Sequence, residues 1–174
     1  IKGIDRPALC PILPTYNGKG FMLVDSGANT NCRALNLVQF AQMGAIYMNK
    51  VMHVDNPKVG LLNIGAEEGK GNELAKETYV KIAENGAINF FGNIEGRDMF
   101  NGDVDVVVSD GFTGNVALKT TEGVGAMVNK ILKEELKANL WRYFLAMLLA
   151  PALKKFKKRM DYSEYGGALL LGIK

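Results

Sequence analysis

A run of five residues, 104–108, in which every residue except Asp105 is valine, leads directly into a polar, glycine-rich turn. A nearly continuous β-branched run of this kind is typical of a strand that is buried on both faces of a parallel sheet. The residues beyond the turn have helix-like spacing, so we expect a central strand that passes straight into a helix. This predicts a layered α/β fold, because helices must cover both faces of such a sheet.

The turn itself is a candidate anion site. Its polar and glycine positions are Asp110, Gly111, Thr113, Gly114 and Asn115. The first N–H groups of a helix have no partners within the helix, and the helix dipole is positive there, so an anion such as phosphate is favoured without a metal. The alternative is an ordinary strand-to-helix turn, which needs glycine for its backbone angles and Asn or Thr as a cap.

A second segment with the same pattern covers residues 59–73. Its strand-like run ends in a polar loop that contains Asn63, Gly65, Glu67, Lys70, Gly71 and Asn72. Backbone amides exposed by the glycines, and the ammonium group of Lys70, can converge there on a charged group. The spacing of glycines before lysine and Ser/Thr that marks a nucleoside triphosphate loop is absent, so such a nucleotide is not implied.

Strands and helices alternate along the chain. Strands are predicted at 20–24, 59–64, 88–91 and 104–108, and helices at 35–47, 74–82 and 114–136. This order indicates an α/β fold with a mainly parallel sheet, and such sheets bind ligands at the carboxyl ends of their strands. Both glycine-rich loops follow predicted strands, so both are expected at that edge of the sheet.

Composition restricts the classes of function. The chain has 174 residues, of which 48% are hydrophobic, so it is expected to be globular. Its net charge of +3 is too small to favour nucleic acid, and no basic stripe is interleaved with stacking aromatic residues. Cys10 and Cys32 lack the paired spacing of a metal site and fit a reducing cytosol. We expect neither a metal nor another cofactor.

In several long blocks the chain resembles the phosphate acyltransferases of bacterial phospholipid synthesis, the PlsX family. The blocks are residues 3–8, 25–29, 39–44, 61–65, 70–73, 89–98, 101–108 and 110–119. They follow one another in one order and span nearly the whole chain. Members of that family are roughly twice this length, so the resemblance implies that residues 1–174 are an incomplete single α/β domain of a longer enzyme.

The resemblance also implies an architecture and a reaction. The architecture is a three-layer α/β/α fold like that of phosphotransacetylases and isopropylmalate dehydrogenases, with a protruding helical hairpin. The reaction is acyl transfer from acyl carrier protein to inorganic phosphate, which gives the acyl phosphate used in glycerophospholipid synthesis. The implied state is a cytoplasmic homodimer that associates peripherally with the membrane.

The needs of this reaction suggest roles for the candidate residues. Phosphate is already an anion at neutral pH, so the enzyme must hold it near the thioester carbonyl and stabilise the oxyanion. We expect Lys70 to do this, with Asp110 orienting Lys70 or a nearby donor, and Asn115 as a neutral donor. The expected phosphate and substrate contacts are Asn29, Asn63, Gly65, Glu67, Gly71, Asn72, Gly111, Thr113 and Gly114. The alternative for Lys70 is an exposed lysine in a loop, neutralised by Glu67 and Glu68.

Residues 137–162 have a different character. Their apolar run is about ten residues, roughly half of a bilayer span, so it is too short for a transmembrane helix. Aromatic residues, a proline break and a cluster of lysines suggest a helical hairpin whose tip enters an anionic membrane surface. The alternative is a hairpin that buries its leucines against a second subunit, and both can hold. The expected contacts are Trp141, Phe144, Leu145, Leu148, Leu149, Lys154, Lys155, Lys157 and Lys158.

Two other functions remain open from the sequence. A phosphotransacetylase-like enzyme that uses coenzyme A thioesters needs the same phosphate and carbonyl chemistry. A catalytically inactive fragment would act only as a dimerising, membrane-binding module. His53 is not expected to act in catalysis, because no Ser or Cys partner is placed convincingly beside it.

Overall fold

The computed structural model describes residues 3–160, without the side chain of residue 160, and residues 167–173. Its elements are β1 (Ala8–Cys10), β2 (Ile12–Leu13), β3 (Phe21–Val24), α1 (Ala34–Lys50), β4 (Lys58–Asn63), α2 (Glu73–Ala83), β5 (Asn89–Glu95), β6 (Val106–Val108), α3 (Gly111–Lys137), α4 (Leu140–Leu148), α5 (Ala150–Met160) and β7 (Leu169–Leu171).

The main sheet has five strands in the order β2-β3-β6-β4-β5. The pairs β3–β6, β6–β4 and β4–β5 are parallel, and only β2 runs antiparallel to its neighbour. All three residues of β6 are buried, and Val106 pairs with Met22 on one side and Val59 on the other. The predicted mainly parallel sheet, with the valine run as its central strand, is therefore confirmed.

Helices lie on both faces of this sheet. On one face, α1 packs against the even-numbered valines of β6 and α2 against β4 and β5, and α1 comes so close at Gly44 that an added Cβ would lie 2.7 Å from Val106. On the other face, Leu118 of α3 packs with Leu23 and Val107. Alternate strand residues therefore face two separate cores, as a strand period of two requires. The three-layer α/β/α architecture expected from the resemblance is confirmed.

The short strands were not predicted from the sequence. Strands β1 and β7 form a separate antiparallel pair in which Ala8 faces Leu171, and β2 has only two residues. Runs of two or three residues are too short to show a period. Strand β5 extends to Glu95, beyond the predicted end at residue 91, and α3 begins at Gly111 rather than 114 because Asp110 caps it.

Beyond Leu118, helix α3 leaves the body of the molecule. Its buried residues are Gly111, Gly114 and Leu118, all in the first third of its 27 residues, and α4 has none. Helix α5 then turns back, and Nη2 of Arg159 donates a hydrogen bond of 2.6 Å to the carbonyl oxygen of Tyr16. Helices α4 and α5 form the protruding hairpin, although residues 161 and 162 of the predicted hairpin segment lie outside the described residues. Within the described chain, no helix combines the length and the apolar character needed to cross a bilayer.

Candidate functional site

The loop after β3 is organised around the buried carboxylate of Asp25. Its oxygens accept hydrogen bonds of 2.8 Å from the backbone N–H of Ala28, from the backbone N–H of Asn29 and from the side-chain amide of Asn29. Further contacts, of 3.3 and 3.4 Å, come from the N–H groups of Leu9 and Gly27. A buried carboxylate needs this number of donors to replace its lost hydration. Asp25 thus fixes the shape of residues 25–29.

This loop supports the beginning of α3. The carbonyl oxygen of Asn29 accepts a hydrogen bond of 2.7 Å from the N–H of Gly111. The side-chain amide of Asn29 donates to the carbonyl of Pro7 and to Asp25, so both of its hydrogens are used within the protein. The expectation that Asn29 completes the pocket as a ligand contact therefore gives way to a structural role for its donor group.

The N-terminus of α3 is capped by its own carboxylate. Oδ1 of Asp110 accepts hydrogen bonds of 2.9 Å from the N–H groups of Phe112 and Thr113, and Oδ2 accepts one of 2.8 Å from the hydroxyl of Thr113. The N–H of Gly114 is bonded to the carbonyl of Asp110. The expectation that the amides of residues 111–114 are free to bind phosphate is therefore not met, since each already has an acceptor.

Helix α2 ends differently at its N-terminus. Its cap is Asn72, whose Oδ1 accepts a hydrogen bond of 2.9 Å from the N–H of Ala75. The N–H groups of Glu73 and Leu74 find no acceptor among the described residues. These two donors, together with the positive end of the helix dipole, make the start of α2 the more available anion site of the two.

The loop between β4 and α2 carries Lys70. The stem of Lys70 crosses Gly65, where an added Cβ would lie 3.0 Å from Cγ of the lysine. The ammonium group is exposed and has no carboxylate or other acceptor among the described residues. The expected pairing with Asp110 is absent, because the carboxylate of Asp110 is engaged in capping α3. Glu67 lies close to the same glycine, with Oε2 at 2.8 Å from the added Cβ.

The two helix N-termini meet at one cavity of about 460 Å³. It is lined by Thr30, Asn31, Cys32, Asn72, Leu74, Asp110, Phe112 and Thr113. The lining residues come from the segments that follow β3, β4 and β6, so the cavity lies at the carboxyl ends of three parallel strands. This is where such sheets bind ligands, and the volume is within the range of small-molecule sites.

Only some of the expected residues line this cavity. Asn72, Asp110 and Thr113 do, whereas Lys70 and Asn63 belong to the adjoining loop. Thr30, Asn31 and Cys32 were missed, although their position just beyond the turn at residues 25–29 could have pointed to them. Asn31 also brings a cation to the rim, because its carbonyl oxygen accepts a hydrogen bond of 2.6 Å from Nη1 of Arg6.

Asn115 lies against a second, smaller cavity of about 200 Å³. Apolar side chains of Leu9, Ile12 and Leu118 contribute to its lining. The side chain of Asn115 also adjoins Gly27, where an added Cβ would lie 3.6 Å from its Oδ1. Unlike the amides of Asn29 and Asn63, the amide of Asn115 has no hydrogen-bond partner within the part of the chain that the structure describes.

Cys32 lines the cavity with a partly buried thiol. Burial, and secondly the negative charge of Asp25, raise the pKa of Cys32 above its ordinary value. The protonated thiol donates a hydrogen bond of 3.3 Å to the carbonyl of Asn29. Because the thiolate is the reactive form, an acyl-cysteine intermediate is disfavoured at this position.

No group of three His, Cys, Asp or Glu side chains that could hold a metal ion occurs among the described residues.

The side chains expected to contact a membrane or partner are exposed. Trp141 is 68% exposed and stacks on Phe144 at a ring distance of 6.0 Å. The remaining apolar positions, Leu145, Leu148 and Leu149, and the lysines of α5 at 154, 155, 157 and 158, are exposed as well. The expected contact residues on α4 and α5 are therefore all accessible.

Comparisons with known proteins identify the family of the chain and its fold. A family model described as "Fatty acid synthesis protein" matches residues 1–174. The chain is 55% identical over 174 residues to a phosphate acyltransferase of Thermoanaerobacterium thermosaccharolyticum and 53% identical over 174 residues to one of Bacillus licheniformis. Both alignments include the whole of this chain but only 52% of either relative. The chain therefore spans about half the length of these curated proteins.

Solved structures show the same fold at low sequence identity. A phosphotransacetylase from Staphylococcus aureus superposes with a TM-score of 0.59 at 14% identity, over 72% of this chain and 44% of that one. A branched-chain phosphotransacylase from Enterococcus faecalis gives 0.54 at 18% identity, over 67% of this chain and 50% of that one.

Proposed function

We propose, on the premise that this chain belongs to the fatty acid synthesis protein family, that the protein containing it transfers an acyl group from acyl carrier protein to inorganic phosphate. The observation that carries the proposal is the cavity in which the N-termini of α2 and α3 converge at the carboxyl ends of parallel strands. At this cavity the start of α2, whose first two N–H groups have no acceptor among the described residues, favours an anionic reactant.

Phosphate is proposed to bind at the start of α2. The N–H groups of Glu73 and Leu74 have no acceptor among the described residues, and Lys70 sits at the end of the preceding loop with an unpaired ammonium group. A phosphate oxygen bonded to these N–H groups would place its charge near that ammonium. Gly65, Glu67, Gly71 and Asn72 then contribute by shaping this loop, whereas Gly111, Thr113 and Gly114 shape the opposite wall.

Oxyanion stabilisation is assigned to Lys70 and Asn115. The side-chain amide of Asn115 has no acceptor in the described chain, whereas those of Asn29 and Asn63 have. In the reaction a phosphate oxygen attacks the thioester carbonyl carbon, a C–O bond forms and the C–S bond breaks. The electron pair leaves with the thiolate of the carrier, and this thiolate takes up the proton that the attacking hydrogen phosphate loses, so acyl phosphate and a free thiol result. Donors aimed at the carbonyl oxygen stabilise the charge that develops in between.

Acyl carrier protein is proposed as the acyl donor because of the family, and an acidic carrier requires a basic docking surface. Arg6 at the cavity rim and the exposed side chains of Lys154, Lys155 and Lys157 on α5 supply positive charge for such a surface. Use of coenzyme A thioesters instead is the competing possibility. The similarity to phosphotransacetylases shows the fold alone and does not favour it.

The test is acyl phosphate formation by the full-length protein. Long-chain acyl carrier protein and inorganic phosphate are supplied, and acyl phosphate is trapped as the hydroxamate, with the coenzyme A thioester of the same chain in parallel. Formation of the product from the carrier-bound substrate at a higher kcat/KM supports the proposal. Product from the coenzyme A thioester alone shows the competing activity, and no product from either substrate refutes acyl transfer to phosphate.

We further propose that α4 and α5 contact an anionic membrane surface or a second copy of the protein. Helix α4 exposes Trp141, Phe144 and Leu148, and α5 supplies four lysines, which together suit anionic lipid headgroups. Helix α3 also exposes apolar residues, including Met127 and Ile131, along its outer part. Vesicle flotation with and without anionic lipid, beside sedimentation equilibrium of the Leu148→Glu variant, separates the two contacts.

A further inference from the structure

The loop that carries Lys70 is held by two asparagine side chains from neighbouring strands. Nδ2 of Asn93 donates a hydrogen bond of 2.7 Å to the carbonyl oxygen of Glu67. Nδ2 of Asn63 donates one of 3.0 Å to the carbonyl oxygen of Lys70. The two side chains are also joined to each other, because Nδ2 of Asn63 donates to Oδ1 of Asn93 at 3.1 Å. The pair therefore holds the loop through two backbone carbonyl groups, those of Glu67 and Lys70.

Both amide groups have a fixed orientation. Both hydrogens of Nδ2 in Asn63 are used, and its Oδ1 accepts a hydrogen bond of 2.8 Å from the N–H of Ile64. Asn93 is only 4% exposed, so its bonds are shielded from water. Gly71 completes the arrangement, because its φ is +96° and an added Cβ would lie 2.5 Å from Oδ1 of Asn63.

Little else holds this loop in place. The side chain of Ile64 is 81% exposed, and residues 66–70 are all exposed. Within the loop, the N–H of Lys70 bonds to the carbonyl of Glu67 at 3.1 Å, which is the same carbonyl that Asn93 holds. A loop without buried apolar side chains depends on such hydrogen bonds for its shape.

We propose that Asn93, acting together with Asn63, is a positioning residue that preorganises the loop for phosphate by fixing the backbone on which Lys70 is carried. This inference rests on the proposed role of Lys70 in phosphate binding. Asn93 does not line the cavity, so its effect passes through the loop. A loop that is already ordered before phosphate arrives loses less conformational entropy on binding, and this appears as tighter binding.

The chain contains a matched control on the same strand. Nδ2 of Asn89, at the opposite end of β5, donates a hydrogen bond of 2.9 Å to the carbonyl oxygen of Asn56. Asn89→Ala therefore removes the same kind of bond from the same strand, far along it from the loop. Asn93→Asp is the second informative variant, because a carboxylate still accepts from Asn63 but cannot donate to the carbonyl of Glu67.

The experiment measures steady-state kinetics and backbone hydrogen exchange of the full-length enzyme and its variants. For Asn93→Ala and Asn93→Asp we expect the KM for phosphate to rise about tenfold, as loss of one or more buried hydrogen bonds implies, with kcat changed less than about threefold. Amides of residues 64–72 are expected to exchange faster in both variants. Asn89→Ala should match the wild type in KM and in the exchange of this loop.

A double variant tests whether the effect passes through Lys70. In the Lys70→Ala background, Asn93→Ala should have little further effect on the KM for phosphate, because the side chain that the loop positions is gone. An equal effect in both backgrounds overturns the inference. So does unchanged loop exchange in Asn93→Ala, or a KM effect that Asn89→Ala reproduces.

The same samples separate this inference from the proposed function. Absence of acyl phosphate from the wild-type reaction refutes the proposed function. In that case hydrogen exchange with and without inorganic phosphate decides the inference. The inference is supported if phosphate slows the exchange of amides 64–72 in the wild type and slows it less in Asn93→Ala at the same concentration. Equal slowing in both proteins overturns it.

Discussion

The carbonyl oxygen of Asn29 accepts a hydrogen bond of 2.7 Å from the backbone N–H of Gly111, and this bond joins the loop after β3 to the first residue of α3. The contact leaves no room for a side chain, since an added Cβ at Gly111 would lie 2.7 Å from both N and O of Asn29. The wall of the cavity therefore depends on close backbone packing between the segments that follow two neighbouring strands.

The second glycine of α3 should be as intolerant of a side chain. An alanine Cβ at Gly114 would overlap the carbonyl oxygen of Asp25, so Gly114→Ala should destabilise the protein by about 3 kcal/mol. Gly125→Ala, in the exposed part of the same helix, has open space and should stabilise it by about 1 kcal/mol. Urea unfolding of the two variants measures the difference, and equal stabilities would contradict the packing described for Gly114.

Removal of the Asp110 cap should lower stability by an amount that depends on the replacing residue. Asp110→Ala leaves the N–H groups of Phe112 and Thr113 without their acceptor, so it should cost about 1 kcal/mol of stability. Asp110→Asn keeps an acceptor and should recover most of that loss. Thermal unfolding provides the measurement. If Asp110→Asn is as unstable as Asp110→Ala, the carboxylate has a role other than capping.

Charge at position 70 is expected to decide catalysis. Lys70→Met keeps much of the side-chain stem over Gly65 but removes the ammonium, and kcat/KM for phosphate should fall by about a hundredfold or more, as for loss of one oxyanion donor. Lys70→Arg retains the charge, so its kcat/KM for phosphate should fall less. Because the ammonium has no partner among the described residues, both variants should unfold at the wild-type temperature within a few degrees. A fully active Lys70→Met variant would remove this residue from the mechanism.

Thiol burial gives the protein a pH dependence in the alkaline range. Burial raises the pKa of Cys10 from an ordinary value of 9.0 to about 12. The folded state holds its proton after the unfolded chain has lost it, so stability is complete below pH 9 and falls as the pH rises towards 12. The slope from this group is about 1.4 kcal/mol per pH unit.

Cys10→Ala isolates this contribution. The variant lacks the titrating group, so its free energy of unfolding should increase relative to that of the wild type by more than about 1 kcal/mol between pH 9 and pH 10.5. Urea unfolding at the two pH values measures the change. A difference that does not vary with pH would show that the thiol titrates normally in the folded protein.

Pattern in the sequence was sufficient for the four parallel strands of the main sheet and for the sheet edge to which the glycine-rich loops belong. The valine run before Asp110 marked the central strand, and the glycine-rich loops marked the edge at which ligands bind. The hydrogen-bond partners of Asn29, Asn63 and Asp110 were not predictable in this way. An asparagine or aspartate beside a turn can face a ligand or its own backbone, and the choice depends on residues far away in the chain, such as Pro7 and Asn93.

Helices α4 and α5 show the same difference between local sequence pattern and distant contacts. Their apolar and basic composition is evident in the sequence, whereas the bond between Arg159 and Tyr16 joins residues 143 positions apart and has no local signal. Strands β1, β2 and β7 were missed because they have three residues or fewer.

Helix α3 sets a fixed spacing within the protein. Its first residue adjoins the cavity and its last precedes α4, and 27 residues at 1.5 Å each make an unbroken rod of about 40 Å. Arg159, near the end of α5, bonds back to Tyr16. The exposed apolar residues of α4 are therefore supported by α3 on one side and by α5 on the other. Under the contact proposed for α4 and α5, a membrane or second subunit bound there is held at a set distance from the cavity, and the length of α3 sets that distance.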